Sequence, residues 1–191
     1  MKSGGVHEAV VALRDGGVVL VPTETVVGLV ASEAGLGRVQ EIKGRDPGKP
    51  IALLCASGEE AFARGEDVPP LAEKLAELYW PGPLTLVLKR AGGGTIGLRV
   101  PDHPTVRELL AAYGGPLYAT SANLSGAPAP RSLEEVDPRV RAAVDVIVGG
   151  VPGGGVASAV VDLTGQDARL LRPGGGLTDE RLARLAGEQE R

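Results

Sequence analysis

The sequence has 191 residues, a formal net charge of −4 at pH 7, a hydrophobic share of 43% and an aromatic share of only 3%. That length suits one domain with its own core, and the acidic balance excludes a surface that attracts nucleic acid as a whole, so any anion site must be a local pocket. The one cysteine, Cys55, excludes an intrachain disulfide and a cysteine-built zinc cluster.

Taken in order, Val6 to Leu13 has apolar residues at helical spacing and stops at Gly16-Gly17. Val18 to Val21 reads as a buried strand running into Pro22-Thr23-Glu24-Thr25, small hydroxyls and one acid at a rigid strand end. Gly35 to Lys43 is helical and delivers the chain into the basic stretch Lys43 to Pro50, where two glycines and two prolines bar a regular element. Alone, that stretch reads as a solvated basic turn. Ile51 to Cys55 is a continuous apolar run, expected to be a central strand with Cys55 as a small buried hydrophobe.

Glu59 to Arg64 and Leu71 to Tyr79 read as helices, the second with Leu71, Leu75, Leu78 and Tyr79 on one face; Trp80-Pro81-Gly82-Pro83 ends it. Strands follow at Thr85 to Lys89 and Ile96 to Val100, joined by a turn at Ala91 to Gly94, then a helix over Thr105 to Tyr113 capped by Asp102 or Thr105. His103, between Asp102 and Pro104, is expected to cap or to face solvent. Leu117 to Thr120 is a short strand leading into Ser121-Ala122-Asn123-Leu124-Ser125-Gly126, followed by a helical patch at Leu133 to Val136. Val144 to Val148 is a strand before the glycine-rich Gly149 to Gly155. Ser158 to Leu163 and Ala168 to Arg172 form a hairpin, and Thr178 caps a terminal helix to Leu185. Strands that follow one another directly, among interleaved helices, predict an α/β (α+β) domain built on a twisted mixed sheet flanked by helices. No leader pattern and no long apolar span is visible, so the expected location is the cytoplasm, with no membrane contact.

Gly92-x-Gly94-x-x-Gly97 matches a dinucleotide fingerprint only formally, because it opens a strand and offers no helix N-terminus to a pyrophosphate; it reads as a hairpin turn. The basic stretch is no Walker loop, since Lys49 precedes Pro50 where a hydroxyl belongs. No serine-hydrolase elbow, paired carboxylates or histidine metal pattern is present. What remains is a set of strand-end hydroxyls, amides and cations: Thr23 to Thr25, the basic stretch, Thr95 with Arg99, Ser121 with Asn123 and Ser125, Ser158, and Arg172 before Pro173. Together they describe a concave site for an anionic ligand without a built-in nucleophile. That suits chemistry in which one substrate attacks another and the protein supplies position and charge.

Seven segments, in order, carry a resemblance. They are residues 21–29 (Val-Pro-Thr-Glu-Thr-Val-Val-Gly-Leu), Lys43-x-Arg45 with Lys49-Pro50, Trp-Pro-Gly-Pro-Leu-Thr (80–85), Gly-Leu-Arg-Val-Pro-Asp-His-Pro (97–104), Ala-Thr-Ser-Ala-Asn-Leu-Ser-Gly (119–126), Ser-Ala-Val-Val-Asp (158–162) and Leu-Leu-Arg-Pro-Gly (170–174). The chain resembles the YrdC family of threonylcarbamoyl-adenylate synthases, in its short, single-domain form. The resemblance implies a YrdC-like domain over 6–176 with a large concave cavity, followed by a C-terminal helix and tail over 177–191. It implies formation of threonylcarbamoyl-AMP and pyrophosphate from L-threonine, bicarbonate or CO2, and ATP, with Mg²⁺ accompanying the nucleotide. A separate tRNA-modifying threonylcarbamoyl transferase complex would use the product, and tRNA contact is a further implied partner.

By motif match, Lys43 and Arg45 stand as triphosphate contacts and the catalytic cations, with Thr95, Asn123, Arg131 and Arg172 also lining the nucleotide. Thr23, Arg99, Ser121 and Ser158 stand on the threonine side, Arg99 as the partner of the carboxylate. The sequence departs from the family pattern at Val27 (usually Tyr), Val30 (usually Gly), Leu54-Cys55 (where many synthases place a His) and Ala159 (usually Thr), all expected near the threonine or bicarbonate side. The alternative is therefore a divergent paralogue, of the YrdC or YciO kind, that binds nucleotide or RNA without synthase activity.

Overall fold

The computed structural model describes residues 3–44, 51–151 and 153–188. Among them the elements run β1 (Ser3–Gly4), α1 (Val6–Arg14), β2 (Val18–Pro22), β3 (Val27–Ala31), α2 (Leu36–Lys43), β4 (Ala52–Leu54), α3 (Gly58–Phe62), β5 (Gly65–Glu66), α4 (Pro70–Tyr79) and β6 (Leu84–Arg90). They continue with β7 (Thr95–Arg99), α5 (Pro104–Tyr113), β8 (Leu117–Ser121), α6 (Pro138–Ala143), β9 (Val146–Val148), β10 (Ala159–Asp162), β11 (Arg169–Arg172) and α7 (Asp179–Gly187). One mixed sheet has the order β1-β9-β2-β3-β8-β4-β7-β6-β10-β11, with β5 paired to β6. The mixed, helix-flanked sheet expected from the sequence is thus present.

Local chemistry sets the element ends. The left-handed Gly44 (φ 56°) closes α2 just before the basic stretch. Pro104 opens α5 at a position whose N–H needs no partner. Thr178 caps α7 by accepting from the Arg181 N–H. The glycine turn after β6 is a hairpin, with Gly93 N–H donating to Arg90 O at 2.9 Å.

Four expectations need correction. The apolar patch at Leu133 to Val136 is not helical, and the helix comes two residues later as α6. Pro138 keeps Asp137 out of the helical region, and the Asp137 carboxylate then caps α6 by accepting from Arg139 N at 2.8 Å. Leu78 is 52% exposed, because the buried face of α4 is Leu71, Ala72, Leu75 and Ala76. Residue His103, not Asp102 or Thr105, is the N-cap of α5, without a side-chain capping bond. Far from facing solvent, its ring is buried, with Nε2 3.0 Å from Val151 O.

The sheet registers sort side chains between two faces. Leu29, Leu53, Leu98, Leu86 and Val161 share one face, and two apolar clusters cover it. One joins it to α3, α4 and α7 through Ala61, Leu75 and Leu182; the other joins it to α2 and α6 through Val39 and Val140. Leu177 and Leu182 are buried in the first cluster, so the C-terminal helix shares the core of the domain before it.

On the opposite face the two halves differ. Over β2, β3 and β9, the side chains of Val19, Val21, Val30, Val146 and Val148 pack with Leu13 of α1 and Leu109 of α5. Each leucine fully removed from water there contributes about 1.5–3 kcal/mol. Over β4, β7, β6 and β10, the paired residues on this face include Ala52, Gly97, Arg99, Thr85, Val87 and Val160. That half is the floor of a cavity.

Candidate active site

The cavity has a volume of about 280 Å³, and none of its lining residues belongs to a helix. Its walls are the Thr23–Val26 turn between β2 and β3, the ends of β7 and β8, and the Ala157-Ser158 entry to β10, with Arg172 from β11. A strand end is held by ladder bonds on one side and is free on the other, so its side chains are fixed yet accessible.

Arg99 is the best-fixed cation. Its Nε donates to Gly82 O at 3.2 Å, and its Nη2 donates to Glu24 Oε1 at 2.6 Å and to Thr25 Oγ1 at 3.2 Å. Glu24 Oε1 also accepts from Asp102 N–H at 3.0 Å. The side chains of the pair are 11% and 16% exposed, so this ion pair is largely shielded from screening. Nη1 of Arg99 makes no hydrogen bond within the described residues.

Arg172 contrasts with it. Its Nε donates to Ser158 O at 2.9 Å and its Nη2 to Ser158 Oγ at 3.0 Å. Ser158 Oγ lies 3.1 Å from Thr85 Oγ1, so β11, β10 and β6 are stitched together beneath the guanidinium. No carboxylate pairs with Arg172 among the described residues. The residue as a whole is exposed, yet desolvation of its guanidinium, and next the charge of Arg99, lower its pKa. Two guanidiniums and one carboxylate, Glu24, thus leave the cavity with a surplus positive charge in a chain of net charge −4. An anion entering it would remove that imbalance.

Thr23 is buried, and its hydroxyl is taken up by the turn. It donates to Val26 O at 2.7 Å and accepts from the N–H groups of Thr25 and Val26 at 3.1 and 3.2 Å. This is a hydroxyl-closed turn, which fixes the direction of the Glu24 and Thr25 side chains. Ser121 lines the cavity and donates through Oγ to Asn123 Oδ1. Thr23, Arg99, Ser121, Ser158 and Arg172 are therefore brought together, as five of the sequence-derived candidates require.

The other candidates lie elsewhere. Lys43 is only 3% exposed, and its Nζ donates to Ser121 O, to Asn123 O at 2.7 Å and to Asn123 Oδ1 at 3.3 Å. Its ammonium anchors the end of α2 to the loop after β8 and does not line the cavity. The Asn123 amide donates to Leu124 O and Ala127 O at 3.0 and 2.6 Å, and so holds the same loop. Thr95 stands on the cavity face of β7, two residues before Gly97, but is exposed beyond the cavity wall. Arg131 is exposed, and its aliphatic stem lies beneath Gly155, where a Cβ would come within 2.9 Å of Cδ. Arg45 and Lys49 lie outside the described residues.

Thr85 is a cavity group the sequence reading missed, and Glu24 and Thr25 were noticed without a role. Of the departures from the family pattern, only Leu54, itself a buried member of the apolar cluster beneath α1 and α5, also lines the cavity. Val27, Val30, Cys55 and Ala159 sit in the apolar clusters instead. Burial, and next the nearby Glu60 carboxylate, push the Cys55 thiol up to about 12, so it stays protonated and inert. The described residues also hold no group of three or more His, Cys, Asp or Glu placed to bind a metal ion, and no helix long and apolar enough to cross a membrane.

A family model named for Sua5, YciO and YrdC, and described as Telomere recombination, matches residues 11–174. A threonylcarbamoyl-AMP synthase of Pyrococcus abyssi is 38% identical over 92% of this chain and 55% of its own length. Another, from Bacillus subtilis, is 36% identical over 95% of this chain and 56% of its own length. The chain thus spans about half the length of these two relatives. A shorter synthase, from Stenotrophomonas maltophilia, is 36% identical over 81% of this chain and 90% of its own. Among solved structures, P. abyssi Sua5 complexed with L-threonine superposes with a TM-score of 0.87 at 37% identity, covering 96% of this chain and 57% of that one. E. coli YciO gives a TM-score of 0.81 at 29% identity, covering 91% of each chain.

Proposed function

The chain belongs to the Sua5/YciO/YrdC family, and from that premise we propose that it is a threonylcarbamoyl-AMP synthase. It would join L-threonine, bicarbonate or CO2, and ATP, and release pyrophosphate. The observation that carries this reading is the placing of Arg99 and Arg172 at one cavity to which the described residues contribute a single carboxylate. The amine of threonine attacks CO2 to give a carbamate, and a carbamate oxygen then attacks the α-phosphate, displacing pyrophosphate. The carbamate and ATP are both anionic, and charge grows on the phosphoryl group and the leaving pyrophosphate. Fixed guanidiniums beside the reacting atoms favour that change without having to reorganise.

In this reading Arg99 receives the amino-acid carboxylate through its unbonded Nη1, while Ser121 and Ser158 flank it. Arg172 faces the phosphate side. Arg45 is proposed as a further phosphate contact, and Lys43 with Asn123 acts by holding the loop that carries Ser121. Thr95 and Arg131 would meet the nucleotide outside the cavity wall. The described residues do not form a protein site for Mg²⁺, since the one cavity carboxylate is held by Arg99. A magnesium ion fits this site only as one carried in by the nucleotide phosphates, which is how this hard, strongly hydrated ion is commonly held. The product would then pass to a transferase that delivers the threonylcarbamoyl group to adenosine in tRNA.

Pyrophosphate release from ATP, measured with threonine and bicarbonate each present or omitted, tests the proposal. Release that needs both is expected; release indifferent to threonine would sink it. Leu54 favours a second reading, a nucleotide-binding paralogue without synthase activity, because it places an apolar side chain in the cavity wall. ATP binding with no threonine-dependent release would select that one.

A further inference from the structure

The Glu24 carboxylate has one oxygen without a partner among the described residues. Oε1 accepts from Arg99 Nη2 and Asp102 N–H. Oε2 is buried and makes no hydrogen bond to any described residue. A buried carboxylate oxygen without a donor is costly, because it loses water and gains nothing in return. Among the described residues, Glu24 is the only acidic residue that lines the cavity.

The other oxygens around the cavity are poor alternatives for a cation. Thr23 Oγ1 is taken up by its turn, and Ser158 Oγ by Arg172 and Thr85. The backbone of Glu24 is also fixed. Gly153 crosses directly over it, donating its N–H to Thr23 O at 2.8 Å, and a Cβ at Gly153 would fall 1.9 Å from Glu24 O. The side chain therefore provides the freedom, and the last torsion of a glutamate is broad and roughly two-fold. A turn about that torsion would bring Oε2 towards the cavity that Glu24 lines.

An α-amino acid carries its carboxylate and its ammonium on the same carbon. Arg99 and Glu24 offer the complementary guanidinium and carboxylate, joined at 2.6 Å. We infer that Glu24 binds the ammonium of the amino-acid substrate and selects for α-amino acids over their amine-free counterparts. This rests on the synthase reading above and adds a specificity-determining residue to it. The residue acts in binding: held by Arg99 at 2.6 Å, it orients the amine.

Calorimetric binding of L-threonine and of (R)-3-hydroxybutanoate, its amine-free counterpart, tests the inference in three proteins. Wild type is expected to bind threonine at least about tenfold more tightly, as for a charge-assisted hydrogen bond. E24Q keeps an acceptor for Arg99 but removes the charge, and it should erase most of that preference. T25V removes one bond to Arg99 and one to the Thr23 hydroxyl but leaves the Glu24 carboxylate in place, so it should weaken both ligands alike, keeping the preference. Wild type that binds threonine but prefers it by less than about threefold overturns the inference without any variant. An E24Q protein that weakens both ligands equally also overturns it, reducing Glu24 to a holder of Arg99. Wild type that binds neither ligand refutes the threonine reading itself, and the inference with it.

Discussion

One face of the sheet is used in two ways. Over β2, β3 and β9 it presents Val19, Val21, Val30 and Val146, and α1 and α5 lie on it with Leu13 and Leu109 fully buried. Over β6, β7 and β10 the same face presents Thr85, Arg99 and Val160, and no helix contributes to the cavity there. The ladder is continuous between the two halves. Side-chain chemistry alone decides which half is covered: valine and leucine gain by excluding water, while a guanidinium and hydroxyls lose unless they find partners. The open half keeps its polar groups tolerable by bonding them to one another and leaving particular atoms for a ligand.

Arg99→Met should have the largest effect, because it damages both roles of the open half. It removes the proposed carboxylate partner and leaves Glu24 buried without its counter-ion. Threonine-dependent pyrophosphate release should fall at least about 100-fold, and stability in urea should fall by about 3–5 kcal/mol. Leu13→Ala strikes the covered half. It should cost about 2–5 kcal/mol in the same urea titration, while the molecules that remain folded turn over normally.

Arg172→Met sharpens the contrast with Arg99. Arg172 has no ion-pair partner among the described residues and is exposed, so its loss should change stability by less than about 1 kcal/mol. Activity should nevertheless drop at least about tenfold, as for other lost charge-assisted contacts. Equal stability losses for the two arginines would break the comparison.

The smallest effect concerns Cys55, buried in the apolar cluster on the other face of the sheet. Its thiol is pushed up from an ordinary 9.0 to about 12. Between those values the unfolded chain releases a proton that the folded chain retains, so stability should fall as pH rises from 9.0 towards 12 and be unaffected by this group below that window. C55A should flatten that slope in a pH series of thermal melts. At pH 8 the native thiol should react with a thiol reagent only as fast as the protein unfolds.

Much of this was legible in the residue order. The interleaved helices and strands, the glycine hairpin after β6, the Thr178 cap and the inert Cys55 follow from spacing, turn chemistry and local burial preferences. Thr23, Arg99, Ser121, Ser158 and Arg172 could be picked out because each is a polar or charged residue at the end of an apolar run. Lys43 could not be read correctly from its basic neighbours. Its ammonium meets Ser121 and Asn123, residues 78 and 80 positions further along the chain. Thr85 escaped for the same reason, since its partner Ser158 lies 73 positions away. The departures Val27, Val30 and Ala159 were expected near the substrate, but the two-residue period of their strands turns Val27 and Ala159 to the other face, and Val30, on the cavity's own face, lies in the half covered by α1 and α5.

The sequence by itself determined the elements, the family pattern and the set of polar strand ends, because those depend on short-range periodicity and backbone chemistry. Only the tertiary structure decided which cations face the cavity. Register and strand order place Arg99 beside Glu24, and Arg172 over Ser158, while folding Lys43 inward onto carbonyl groups. A charge in a sequence has no partner until the chain closes on itself, and its role depends on that partner.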